Sequence, residues 1–255
     1  MKMIYDLQKP TVWKRFSAYL FDIILIITLA AGFAAVVSAI VGFDNKVDKV
    51  QALETKYYEE YGISDISLED FEKLTDEEKQ IYAEADKAFK NDPEVLKAYS
   101  LVYNLIITIT ALGIFLAVLV WEFIIPLFLK NGQTLGKKIF GIAVMRTNGV
   151  KITPMQLFIR SVLGKYTFEI MLPVFSVILV VFANAGIFGV AMLLIVTIAQ
   201  IASLIATRNT RQALHDLLSD TVTVDLASQL IFETEADLIK YKEEQHAKMV
   251  ERATY

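Results

Sequence analysis

The chain has 255 residues, of which 55% are apolar and 21% charged, with a net charge of −4. Long apolar runs alternate with very polar stretches, a partition that excludes an ordinary soluble domain and points to a bilayer. With no cysteine, disulfides, thiolate metal sites and Cys nucleophiles are excluded, and the two histidines, His215 and His246, leave almost no basis for a His-ligated metal.

Residues 1–15 form a short basic N-terminal segment with Lys2, Lys9, Lys14 and Arg15. The first apolar run, 16–43, is broken only by Asp22 and a few small polar residues. Small residues at Val37-Ser38-Ala39 resemble a cleavage site, but a signal h-region is roughly 7–15 residues. The run therefore reads as an uncleaved spanning helix. Its small residues Ala30, Ala31, Gly32, Ala34, Ala35, Ser38 and Ala39 permit close helix contact, within the bundle or between protomers.

Residues 44–98 form an acidic insert. Sixteen acids and eight lysines over 44–97 give 8 − 16 = −8. Val47, Val50, Leu53, Tyr57 and Tyr61 recur at helical spacing. Thr75-Asp76-Glu77-Glu78 matches a capping box, introducing a helix with Ile81 and Phe89 as apolar anchors. A solvated helical cap is the plainer reading of this insert, and a ligand- or partner-binding module the sharper one.

The second span is 99–129, announced by an Asp92 cap and Pro93 at the first helical position. The segment 130–166 carries Lys130, Lys137, Lys138, Arg146, Lys151, Arg160 and Lys165 with no acid. Asn148-Gly149 predicts a type I′ hairpin between Ile139–Thr147 and Val150–Thr153, with Thr221–Val224 as a further strand for it. Thr153 and Pro154 then start a short amphipathic helix, to about Gly164, of the kind that lies in a membrane interface.

The last run, 166–206, would reach about 60 Å as one helix, twice the hydrocarbon core. Ala183-Asn184-Ala185-Gly186 supplies a break, giving a third span at 167–183 and a fourth at 187–206. The positive-inside rule places 130–166, the N-terminus and the C-terminal segment 207–255 in the cytoplasm, and the insert outside. The fold class expected is an all-α membrane protein: four transmembrane helices, an extracytoplasmic helical insert, and a short cytoplasmic β-hairpin plus amphipathic helix.

Carboxylates inside spans are the informative residues. One costs roughly 2.5–3.5 kcal/mol on insertion scales, so it normally faces protein or water and has a partner. Asp22 and Glu122 both fall about 9–10 Å from the cytoplasmic edge, and Glu169 opens the third span on that side. These three acids form either a water-accessible ion or proton site or a structural lock, with Asp22 and Glu122 approaching each other or sharing a basic partner. Arg15, Arg160, Lys165 and Arg211 are the candidate charge partners.

Enzymatic chemistry is the least favoured class. Only Asp22 of the aspartates lies within a span, where an aspartyl protease needs two. His215 and Asp216, as neighbours, point to different faces, which favours a helix-end role for His215. Gly132–Lys137 is one residue short of a phosphate loop and lacks its Ser/Thr. Nothing points to a catalytic residue, a metal, another cofactor or nucleic acid.

Three places in order carry a family resemblance. Arg15 enters the first span in Arg15-Phe-Ser-Ala-Tyr-Leu-Phe-Asp22. Gly132-Gln-Thr-Leu-Gly136-Lys-Lys-Ile-Phe-Gly141 and Asn148-Gly149 follow the second, and Gln212-Ala-Leu-His215-Asp216-Leu-Leu with Thr221-Val-Thr-Val follow the last. The chain, over about 9–43 and 99–225, resembles the RDD family of bacterial membrane proteins, named for one arginine and two aspartates. Arg15, Asp22 and Asp216 match those positions. The resemblance implies a multi-pass bacterial plasma-membrane protein, and transport, with cation/proton exchange, as one function class. The other class is a non-transporting scaffold, sensor or envelope protein using the insert and tail as contact surfaces. Four helices make a thin wall, so a homodimer or a membrane-protein partner is expected besides the lipid bilayer.

The charge pattern makes the topology testable in a background free of cysteine. A cysteine at position 70 should react with an impermeant thiol reagent in intact cells, while cysteines at 148 and 240 should not. External labelling at 240 would rule out four spans.

Overall fold

The computed structural model describes residues 7–63, 68–182 and 186–253. Among the described residues, four helices are long and apolar enough to cross a membrane: α1 (Val12–Val41), α5 (Pro93–Phe128), α7 (Pro154–Val181) and α8 (Gly186–Ala206). Between the first two lie α2 (Phe43–Tyr61), α3 (Leu68–Glu72) and α4 (Asp76–Asn91). The remainder is α6 (Leu135–Ile139), β1 (Ile142–Arg146), α9 (Leu214–Leu218), β2 (Thr221–Asp225) and α10 (Glu235–Ala253). Side chains on the outside of the long helices are apolar and exposed, as Ile27, Ile40, Ile195 and Ile205 show, which is what lipid-facing surface requires.

Two compact units emerge, one from the described residues up to Ala30 and from Phe115 onward, the other from Ala31–Ile114. In the second unit Gly42, at φ 63, separates α1 from α2. Thr75 and Glu78 exchange capping hydrogen bonds at the start of α4, with Glu78 N donating to Thr75 Oγ1 at 3.3 Å and Thr75 N to Glu78 Oε2 at 2.8 Å. Tyr57 packs edge-on to Phe89 and donates to Asp92 Oδ2 at 2.5 Å. Of the two expected anchors on α4, Phe89 is engaged while Ile81 stays exposed.

In the first unit the third span differs from expectation. An interfacial helix ending near Gly164 and a separate span from 167 are replaced by one continuous helix, α7. Its stretch Ile159–Met171 is π-helical and buries Arg160, Ser161 and Gly164. The wider π turn rotates onto the protein side residues that α-helical spacing assigns to a solvent stripe. Thr153 and Gln156 cap its start. A second π-helical stretch, Leu119–Ile124, lies near the end of α5 and buries Trp121 and Glu122. The expected break at Ala183-Asn184-Ala185 lies outside the described residues. Beyond it, α8 meets α7 closely at Gly189, where a Cβ would sit 2.5 Å from the Ser176 carbonyl oxygen.

The expected hairpin is also revised. β1 pairs antiparallel with β2, in the register Ala143↔Val224 and Val144↔Thr223, whereas its pairing with the following segment is the single bridge Met145↔Lys151. The connection is a three-residue loop, closed by Arg146 N to Val150 O at 2.8 Å. Only Gly149 in it has positive φ, 92°, whereas a type I′ turn needs positive φ at both Asn148 and Gly149. Long-range pairing wins because both faces of the β1–β2 ribbon are buried. Ala143, Met145, Val222 and Val224 pack on one side with Leu7 and Ile231; Val144 packs on the other with Ile152, Leu157 and Phe123. The N-terminal segment runs beside β2, accepting Asp225 N at Gln8 O (2.8 Å) and pairing Lys14 with Asp225 at 2.5 Å. Helix α10 docks through Leu238 and Tyr241 onto Phe232 and Val150.

If β2, and not the local turn, orders β1, a chain ending at Asp220 should lose amide protection across Ile142–Arg146 in hydrogen–deuterium exchange. Retained protection there would restore the local hairpin as the folding unit.

Candidate functional site

Helix α1 buries two residues, Ala18 and Asp22, one turn apart. Three donors converge on the Asp22 carboxylate. Trp121 Nε1 donates to Oδ1 at 2.9 Å, Gly136 N to Oδ1 at 2.9 Å, and Thr134 Oγ1 to Oδ2 at 2.5 Å. Each donor has a local cause. The π turn of α5 points Trp121 inward, and Thr134 caps α6, accepting from Lys137 N at 3.3 Å while its own proton goes to Asp22. The Gly136 amide lies in the first turn of α6, where helical N–H groups lack partners. Glycine is required there, since a Cβ would lie 2.5 Å from the Ala18 carbonyl oxygen and 2.7 Å from Asp22 Oδ1.

Glu122, beside Trp121 in the same π turn, sits between two ammonium groups, Lys137 Nζ at 3.3 Å and Lys165 Nζ. Asp22 and Glu122 are not bonded to each other. Lys137 is the cation they have in common, bonded to Glu122 and close enough to Asp22 to feel its charge. Neither Arg160 nor Arg211, the expected partners, bonds to either acid; of the cations named, Lys165 bonds to Glu122 alone. Burial, reinforced by the charges of Lys165 and Arg160 and opposed by Glu122, pulls the Lys137 ammonium down to about 8.

Arg160 instead pairs with Asp216, both fully inside the protein, and donates to Thr221 Oγ1 at 2.9 Å. Asp216 also accepts from Ala213 N at 3.3 Å. Glu169 is held by His215, whose Nδ1 lies 2.7 and 2.8 Å from its two oxygens and whose backbone N donates at 3.2 Å. Gln200 Nε2 adds a bond at 3.3 Å. Burial, then the nearby Arg160 charge, pushes the His215 imidazole down to about 4, so it is neutral at physiological pH and its Nδ1–H donates to Glu169. The packing of α7 on His215 depends on Gly164, where a Cβ would sit 2.5 Å from the histidine Cβ.

Arg15 holds main chain instead of an acid. Its Nη1 donates to Arg211 O at 3.2 Å and its Nη2 to Thr223 O at 2.9 Å, with Nε buried and unbonded among the described residues. Arg211, at φ 50, contributes a carbonyl to the site while its side chain is exposed. Thr221 and Thr223 share one face of β2 and turn it towards these charges, while Val222 and Val224 face the apolar side.

These groups line a partly open cavity of about 280 Å³ whose walls include Arg15, Asp22, Glu122, Lys137, Arg160 and Glu169. Lys165, His215 and Asp216 complete its charged lining. The four acids balance the four fixed cations. Every acid already accepts at least two hydrogen bonds, and the Arg15 Nε is a buried donor left without a partner among the described residues. Among the described residues no group of three His, Asp or Glu side chains could hold a metal ion. The sequence signals for Asp22, Glu122, Glu169, Arg15, Asp216 and Arg160 thus converge on one place. Trp121, Thr134, Gly136, Lys137 and His215 were not among the expected site residues. For three of these the signal was in view, because the motif Gly132–Gly141 that carries the resemblance contains Thr134, Gly136 and Lys137.

Asp22→Asn presents an amide N–H₂ to donors that need an acceptor. It should cost about 3 kcal/mol, the scale for leaving buried polar groups unmatched, and lower the melting temperature in detergent. Trp121→Phe removes one donor and should cost about 1–2 kcal/mol. Equal melting temperatures for wild type and Asp22→Asn would show that the carboxylate does not hold the bundle.

Comparison with families of known proteins gives a match to the RDD family over residues 9–220. No curated protein and no solved structure matches the chain. With a family match over most of its length and four apolar helices of spanning length among the described residues, this chain is an integral membrane protein and belongs to the RDD family.

Proposed function

We propose that this protein is a transporter, or a transporter subunit, of the bacterial plasma membrane that moves protons or cations through the polar cavity, with both termini cytoplasmic and without covalent chemistry. The observation carrying this reading is the position of Glu122. It is a carboxylate inside a spanning helix, at the wall of a cavity wide enough for water, and shared by two lysines. One of those, Lys137, is brought by burial to about 8, so its proton can leave and return near physiological pH. When Lys137 is neutral, Glu122 loses one of its two counter-charges and can take a proton or a cation in exchange. Asp22 has a different part: with three donors fixed on it, it holds Gly136 and hence Lys137 in place. The basic lining of the segment 130–166 supports the cytoplasmic placement of this end.

A specific observation favours a second reading, a non-transporting membrane scaffold or sensor: all four cavity acids have their donors in place. The two separate in proteoliposomes carrying a pH-sensitive dye and challenged with Na⁺, K⁺ or Li⁺. A transporter should collapse an imposed pH gradient, with flux greatest near pH 8, where Lys137 passes readily between its charged and neutral forms, and falling to either side. Glu122→Gln and Lys137→Met should each reduce flux at least tenfold while remaining inserted. The folded value of Lys137 lies below its ordinary 10.5, so the unfolded chain binds more protons between pH 8 and 10.5, and this lysine's contribution to stability rises across that window. Flux no greater than in empty liposomes, or unchanged in Glu122→Gln, would leave the scaffold reading standing.

A further inference from the structure

The Ala31–Ile114 unit contains a second, larger cavity of about 810 Å³, which plays no part in the polar site. Small-molecule sites typically fall between about 300 and 1,000 Å³ and combine apolar and aromatic walls with a few polar groups. Six aromatic rings line this one: Tyr57 and Tyr58 of α2, Phe71 of α3, Tyr82 and Phe89 of α4, and Tyr99 of α5. The rings are tied in edge-to-face contacts, Tyr57 with Phe89 at 5.4 Å, Phe89 with Tyr99 at 5.8 Å and Phe71 with Tyr82 at 5.8 Å. Such contacts set ring orientation before any ligand arrives, which lowers the ordering cost of binding.

Charge decides what such a cavity selects. Three charged residues line it, Glu54, Asp86 and Lys90. Asp86 and Lys90 neutralise each other at 2.8 Å. Glu54 is half-buried and accepts from Tyr58 Oη at 3.1 Å, with no cationic partner among the described residues. One uncompensated carboxylate thus faces a wall of aromatic rings, whose faces carry negative charge density and attract cations. The surrounding segment 44–97 has a net charge of −8, from eight lysines and sixteen acids, which raises the local concentration of cations and repels anions.

We propose that this cavity is a binding site for an organic monocation with an apolar, ring-sized body, its charge facing Glu54 and its body against Tyr57, Tyr82 and Phe89. This recognition is independent of transport through the polar cavity, and neither reading requires the other.

The test uses the full-length protein in detergent and three probes: trimethylphenylammonium, its neutral isostere tert-butylbenzene, and benzenesulfonate. Isothermal titration calorimetry should show saturable binding of the ammonium probe, at least tenfold weaker binding of the isostere, and none of the sulfonate. Glu54→Gln should weaken the ammonium probe about tenfold. Glu59→Gln removes the same charge from an exposed position outside the cavity and should change binding less than twofold, which separates the local carboxylate from the general acidic field. Phe89→Ala, checked for helix content by circular dichroism, should abolish binding. Absence of saturable binding to wild type, equal affinity for the ammonium probe and its isostere, or equal weakening by Glu54→Gln and Glu59→Gln would each overturn the assignment.

Discussion

The polar site depends first on one buried carboxylate. Helix α1 has an apolar exterior and buries little else besides Ala18, so side-chain packing alone gives it few reasons to stay. Asp22 supplies the tie by accepting from an indole on α5, a hydroxyl that caps α6 and an amide in the first turn of α6. Hydrogen bonds to a charged acceptor contribute about 1.5–3 kcal/mol each, and they are worth more where water is excluded. The three donors are neutral, and the nearby cation is Lys137, which directly follows Gly136 in the first turn of α6. The position of Lys137 then sets the position of Glu122, and Glu122 that of Lys165.

The spanning helices bring their charges inward through a departure from α-helical winding. Trp121 and Glu122 lie in one π-helical stretch and Arg160, Lys165 and Glu169 in another. Wider turns are costly unless something stabilises them. Here they are matched by buried ion pairs and by glycine at the closest approaches, Gly136 beneath α1 and Gly164 against His215. A charge-balanced cluster is also what a low-dielectric site requires, since removing one partner from a buried pair leaves an uncompensated charge costing about 3–5 kcal/mol.

The two units use charge in opposite ways. Around the polar cavity, four acids face four cations and the cluster is closed upon itself. Around the aromatic cavity, one carboxylate is left unmatched within a strongly acidic segment. Closed networks favour rigidity and proton exchange between fixed neighbours, whereas an unmatched charge against aromatic faces favours capture from solution.

Much of this protein could be read along the chain. Three apolar runs with the last one divided into two spans, the caps at Thr75 and Thr153, and the family itself were legible, because hydropathy, capping and motif spacing are local properties. That Asp22, Glu122 and Glu169 line one cavity agrees with the gathering of the three acids that counting residues along the spans suggests. What the chain could not disclose was pairing. Asn148-Gly149 signals a turn whether or not its flanks make a hairpin, and only the burial of both faces of β1 decided for Thr221–Asp225 as its partner. The stretch 154–164 has the periodicity of a short amphipathic α-helix, and only the tertiary structure, with Arg160 against Asp216 and Lys165 against Glu122, shows it continuing as a π-helix to Met171. Which donor meets which acid depends on ångström-scale approach between helices distant in sequence. Sequence alone therefore determined a four-span protein with buried charges, and the tertiary structure decided that Asp22 is bound by an indole, a hydroxyl and an amide, because several cations were available at the same depth and only geometry could choose among them.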